Sequence, residues 1–250
     1  MRTDTGGSGD LLYSSACASK PLYPSFWKAD YSTLAPAMWD WSSPERNTVP
    51  GSGFFVHMIN LLPSACIACV VRLAKLNHIM DAMLSASPIN VDATRLVPTA
   101  LALHHQLLSL PPWDDLDRDD QAGPQQLYEI CKLATLVYCN VALQAVPPHQ
   151  LWNVELADRL YAELSDYYTA NEPTAEMDFL VWAVCVGTLA TARGPTRARY
   201  EVFLGHLLKK KRVTSRSHLE AMLAQFIWSQ HACGHGLATL WLSLNALTSA

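Results

Sequence analysis

The sequence predicts an all-α protein, a single domain of about eight helices behind an irregular N-terminal segment. Three observations carry that reading. Apolar residues recur every three or four positions from Phe54 to Leu247, the alternating pattern of strands is absent, and Pro, Gly and Asp gather between the periodic stretches. The natural division is residues 1–52, irregular or partly disordered, and residues 53–250, a helical domain.

In the first segment Gly, Ser and Pro are frequent, and apolar residues arrive as Phe26-Trp27 and Met38-Trp39-Asp40-Trp41. The second burst reads as a short turn laying its Trp rings on the main body, or as an acidic-aromatic interaction motif. Helical periodicity then starts with Phe55, Ile59, Leu62, Cys66, Cys69, Leu73, Leu76 and Met80, with a break at Pro63 and a new start near Ser64, because proline interrupts the i→i−4 ladder. A second helix follows Asp92, a suitable N-cap, and carries Leu96, Leu103, Leu107 and Leu110 before Pro111-Pro112. The third spans Gln125 to Val146, and the fourth runs from Leu151 to Tyr168 on Leu156, Leu160 and Leu164. The fifth begins after Thr174 and is apolar nearly all round through Ala192, so it belongs at the centre of the fold. A sixth spans Arg197 to Lys210. Ser217 and Glu220 form a capping-box pair for a seventh that continues through Phe226, Ile227 and Trp228, and Gly234 and Gly236 punctuate before a short eighth.

Composition narrows the function. Half of the 250 residues are hydrophobic and 16% are charged, with a formal net charge of -4. An acidic chain offers no whole-chain electrostatic footprint for nucleic acid. Gly51–Val71 and Leu133–Val154 contain no Asp, Glu, Lys or Arg, but His57, Asn60 and Pro63 interrupt the first and Pro147-Pro148 and His149 the second. Neither is the continuous apolar span a bilayer requires, so no membrane span is expected. The N-terminus has no apolar stretch behind a basic start, and seven scattered cysteines form no regular framework. Both point to a reducing interior.

Five motifs carry the chemistry on offer. Cys66-Ile67-Ala68-Cys69 has CxxC spacing but sits in an apolar helical run without a second pair, which favours core packing over zinc. His231-Ala232-Cys233-Gly234-His235 places two imidazoles four apart, beside glycines that suggest a helix end. Of His104-His105, adjacency puts one ring toward the core edge and the other toward solvent. Asp114-Asp115-Leu116-Asp117, with Asp119 and Asp120, resembles the aspartate-rich sequence of helical terpene cyclases, yet follows Pro111-Pro112-Trp113 in an expected loop. Lys209-Lys210-Lys211-Arg212 lies between two helices. Such a run serves a helix C-terminus or acts as a nuclear import signal, and four adjacent cations exceed what a helix dipole needs.

From about Ile89 onward the order of segments resembles the regulatory domain of fungal zinc-cluster transcription factors. The matching segments are Leu101 to Trp113, the Tyr-containing Leu136 to Leu143, the central Leu180 to Ala190, Arg197 to Leu204, Leu223 to Trp228, and Gly236 to Trp241. The resemblance implies an all-α, non-enzymatic, nuclear regulator that acts through a protein partner or small effector. It implies no catalytic, cofactor-binding or metal residues, with Trp182, Tyr200, Phe226, Trp228 and Trp241 in the core. The six-cysteine zinc cluster that reads DNA in those factors has no counterpart, since Cys17 stands alone in its region. Direct DNA binding by this chain alone is therefore not expected. The alternative is a helical metal-diphosphate enzyme of secondary metabolism that uses the Asp114–Asp120 loop.

Overall fold

A computed structural model describes Ser14 and residues 51–85, 93–116, 124–144, 147–148, 150–171 and 175–248. The Phe26-Trp27 and Met38–Trp41 bursts, the Asp92 cap, Thr174 and Asp117 to Asp120 lie outside the described residues. Within them the chain is all-α and carries no strand. A π-helical turn, Phe54–Met58, precedes α1 (Ser64–Leu84) and α2 (Ala93–Leu108). Then come α3 (Gln125–Tyr138), prolonged by a π turn at Cys139–Leu143, α4 (Leu151–Asn171) and α5 (Met177–Ala190). The last three are α6 (Pro195–Lys211), α7 (Arg216–Leu223) and α8 (Gln230–Thr248). No helix among the described residues is long and apolar enough to cross a membrane.

The core is organised around α5. Every residue of this helix except Asp178 is buried, and α3, α4, α6, α7 and α8 pack against it. A helix without a polar face must be covered on all sides, so the central position expected from its sequence is the one observed. At its N-terminal half, Phe179 and Trp182 meet Phe54 and Phe226 in an aromatic cluster with ring centroids 5.2–6.3 Å apart. The Trp182 indole N–H donates to the Ile227 carbonyl at 2.8 Å, which supplies the partner a buried indole needs. The chain before α1 is tied to the same turn, because Gly51 N–H donates to Phe226 O and Gly53 N–H to Gln225 O.

Short links make α4, α5 and α6 run up, down and up, as helices joined by a few residues do. Contacts between α4 and α6 rise together along both sequences: Tyr200 donates to Ala157 O at 2.7 Å, and Tyr168 meets His206 at 3.0 Å. The two helices are therefore parallel. Tyr200 reaches past α5 at Gly187, where a Cβ would overlap its ring.

Several local expectations are corrected. The opening stripe is carried by Phe54 and Met58, both fully buried, while Ile59 is 48% exposed. The i→i+5 geometry of the π turn moves the inward face away from a 3.6-residue register. The cap of α7 is Ser215, whose hydroxyl accepts from His218 N–H at 3.2 Å, so Ser217 lies inside the helix. Glu220 instead accepts from Arg216 at 2.9 Å. Helix α7 also stops at Leu223, and Phe226, Ile227 and Trp228 are buried in a turn. Gly234 and Gly236 then sit inside α8, where Gly236 lets the helix approach Leu189 of α5.

The two kinds of helical glycine should respond oppositely to substitution. Gly187→Ala drives a methyl into Tyr200, and overpacking of this sort costs about 1–3 kcal/mol. At Gly205 a Cβ would meet nothing nearer than Leu244 at 3.9 Å, so Gly205→Ala should add up to about 1 kcal/mol by helix propensity. Urea unfolding of both variants checks the two signs.

Candidate functional site

A concave surface lined by aromatic and basic side chains lies between α4 and α6. It is a groove of about 530 Å³ lined by Tyr161, Ser165, Tyr168 and Thr169 on one side and Ala198, Arg199, Val202, Phe203 and His206 on the other. Its origin is geometric. Both helices lean on α5 with their Leu faces, Leu156, Leu160 and Leu164 on α4 and Leu204, Leu207 and Leu208 on α6. The outward edges that remain are bridged by aromatic rings.

Those rings form a row. Tyr161 meets Tyr200 and Phe203 edge-on at 5.2 and 6.2 Å, and Tyr168 meets Phe203 and His206 at 5.4 and 5.7 Å. Edge-to-face packing is favoured by the ring quadrupoles. A cation stands over each end, Arg199 at 4.9 Å from the centre of Tyr161 and Lys210 at 5.3 Å from the centre of Tyr168. At the first end Asp158 accepts from Arg199 at 2.9 Å and from Thr196 at 3.0 Å. At the second, Lys210 donates to the Tyr168 hydroxyl at 3.5 Å, and that hydroxyl lies 3.0 Å from His206 Nε2. Between the ends Val202 is 67% exposed.

The floor beneath is fixed. The Tyr200 phenol is fully buried on Ala157 O, and burial first, then Asp158, pushes its pKa well up. Arg197 secures the junction of α5 and α6: its Nε donates to Glu201 at 2.8 Å and its Nη1 to the carbonyls of Thr188 and Thr191, both at 3.2 Å. A charged donor on two terminal carbonyls completes a helix end that would otherwise leave acceptors unmet.

The motifs singled out from sequence are scattered. Cys66 and Cys69 are both buried in α1, with Cys66 Sγ 3.9 Å from Cys131 Sγ and Cys69 facing Leu103 O at 3.7 Å. Burial raises the pKa of both thiols, for Cys66 behind the larger effect of its contact with Cys131. His231 and His235 are exposed on the first turns of α8, with Cys233 buried beneath them. These residues open a helix rather than close one, because Ser229 accepts from Ala232 N–H and Asp81 of α1 accepts from Gln230 N–H, both near 2.8–2.9 Å. Asp114 and Asp115 are exposed on a single turn. Among the described residues no three His, Cys, Asp or Glu side chains come together as a metal site.

The Lys209–Arg212 run is not an extended linker. Lys209, Lys210 and Lys211 form the last turn of α6, and Arg212 closes it in the left-handed conformation at φ 57°. Val213, buried behind it, donates to Leu208 O at 2.9 Å, as in a Schellman ending. Lys211 pairs with Asp178 at the start of α5 at 2.5 Å. Of the expected core residues, Trp182, Tyr200, Phe226 and Trp228 are buried and Trp241 is partly so. The resemblance matches Arg197 to Leu204 to an aromatic helix and assigns the groove no role. The usable signal was Tyr161 and Tyr168, seven apart on the edge of α4 away from its Leu stripe. No protein-family model matches the chain, and no curated protein or solved structure matches it either.

Of the two adjacent histidines, His104 is fully inside and His105 half-buried. Burial first, then His105, lowers the His104 pKa to about 4, whereas an unfolded chain titrates near ~6.5. Between those values the unfolded chain binds more protons, so the stabilisation is complete above pH ~6.5 and is lost as pH falls toward 4. His104→Gln should flatten that fall by about 2–3 kcal/mol between pH 7 and pH 4, measured by urea unfolding across the range.

Proposed function

We propose that this chain is a non-enzymatic regulatory domain that tunes transcription in the nucleus by receiving a protein partner or small effector in the α4/α6 groove. The observation that carries the reading is the groove itself: a half-buried row of aromatic rings beside the exposed Val202, with a cation over each end, on a chain whose formal net charge is -4. Apolar concavities with a few placed polar groups are where binding concentrates. Further support is the order of segments that resembles the regulatory domain of zinc-cluster factors, which here fall in α2, α3 with its π turn, α5, α6, the turn after α7, and α8.

Tethered to an unrelated DNA-binding domain, the chain should change expression of a reporter by several-fold. Val202→Glu, on an exposed position of the groove, should remove most of that change at equal protein level. A tethered chain that leaves the reporter untouched sinks the regulatory reading.

The Lys209–Arg212 run supplies the route to the nucleus in this proposal. A fluorescent fusion too large to diffuse through nuclear pores should accumulate there, and changing Lys209, Lys210, Lys211 and Arg212 to Ala should lower the nuclear fraction. Equal nuclear signal in both fusions removes the import role.

A further inference from the structure

We infer that the α4/α6 groove is a binding site for an apolar organic acid, with the carboxylate seated at Lys210 and the hydrophobic body laid along Tyr168, Phe203 and Val202 toward Tyr161. This names a ligand class for the groove on which the regulatory proposal rests.

Charge decides which end takes the acid. Arg199 already shares Asp158, an ion pair at 2.9 Å, so its charge is largely answered. Lys210 has the Tyr168 hydroxyl as its hydrogen-bond acceptor and the Tyr168 ring beneath it, and among the described residues it pairs with no carboxylate. An ammonium carries three donors, so Lys210 keeps two for an incoming anion. Lys210 is not itself a lining residue of the groove but stands over Tyr168, which is, at the end of the row of rings.

Shape decides the rest of the ligand. Tyr161 and Tyr168 are seven residues apart, about 10.5 Å along a helix, so the apolar body should be of that length. The ring planes of Tyr161 and Phe203 stand at 79°, and those of Tyr168 and Phe203 at 70°. Upright rings of this kind leave faces and edges on which a second flat system can pack. Val202 contributes the exposed aliphatic wall, and its 67% exposure is surface a ligand would cover. The volume, about 530 Å³, falls within the ~300–1,000 Å³ of small-molecule sites. A cation at one end and ~10 Å of apolar lining describe an amphipathic monoacid better than a neutral or cationic compound.

The test uses the full chain and isothermal titration with biphenyl-4-carboxylate, its neutral carboxamide, and 4-(aminomethyl)biphenyl. The acid should bind at micromolar to submillimolar concentration, at least tenfold more tightly than the amide, and the amine should not bind. Lys210→Ala should erase the preference for acid over amide while leaving amide affinity unchanged. Val202→Glu should weaken both. Both positions are exposed, and unchanged melting temperatures would show that each variant folds. Equal affinity for acid and amide, or a preference that survives Lys210→Ala, overturns the assignment, as does the absence of binding by all three. Because the readout is binding alone, a chain that binds the acid but leaves a reporter unchanged retains this inference and loses the regulatory reading. A chain that regulates but ignores the acid does the reverse.

Discussion

Helix α5 has no face that can meet water. From Phe179 to Ala190 each side chain is buried, and a cylinder apolar on every side is stable only when other helices enclose it. That requirement arranges the molecule. Helices α4 and α6 flank it as sequence neighbours, α3 closes another side, and α7 with α8 covers the remainder. Close approach is achieved with small residues at the crossings, Gly187 beneath Tyr200 and Gly236 against Leu189.

Enclosure leaves helix ends and turns inside the protein, where backbone groups cannot reach solvent and must find partners. Long-range side chains provide them. Trp182 serves Ile227 O, Asn77 serves Trp228 O at 2.8 Å while accepting from Tyr138 at 2.6 Å, and Lys132 serves Leu110 O at 3.2 Å. Asp81 caps α8 from α1, and Arg197 caps α5 from α6. Residues with polar or charged heads in an apolar core thus act as fasteners for the turn 224–229 and for the helix junctions. The Asn77 amide is a clear case, since one side chain joins α1, α3 and that turn.

The groove is a by-product of the same enclosure. Two parallel helices on one central helix cannot both bury their full circumference, and here their outer edges carry Tyr161, Tyr168 and Phe203 rather than more Leu. The basic run at the end of α6 is likewise absorbed into the architecture. Lys211 holds Asp178, Lys210 covers Tyr168, and Arg212 turns the chain. An import receptor that required an extended run would have to unwind this last turn, whereas one that reads Lys209 and Lys210 on the helix surface would not.

The local physics of the sequence determined the class and most of the elements. Period-3.6 apolar stripes, Pro63, Pro111-Pro112 and the all-apolar stretch from Phe179 onward were enough to specify an all-α fold with α5 inside, because burial follows from apolar area and periodicity alone. Tertiary structure decided what depends on a second segment. Gly234 and Gly236 read as a stop, but Asp81, far away in sequence, caps a helix that runs through them. His104 and His105 were indistinguishable by composition until packing buried one of them. The groove was the least legible feature, since Tyr161 and Tyr168 acquire Phe203, His206 and Lys210 as neighbours only when α5 sets α4 and α6 side by side. A single helix records which of its faces is apolar. It does not record which other helix will stand beside that face, and the chemistry of a site arises from that pairing.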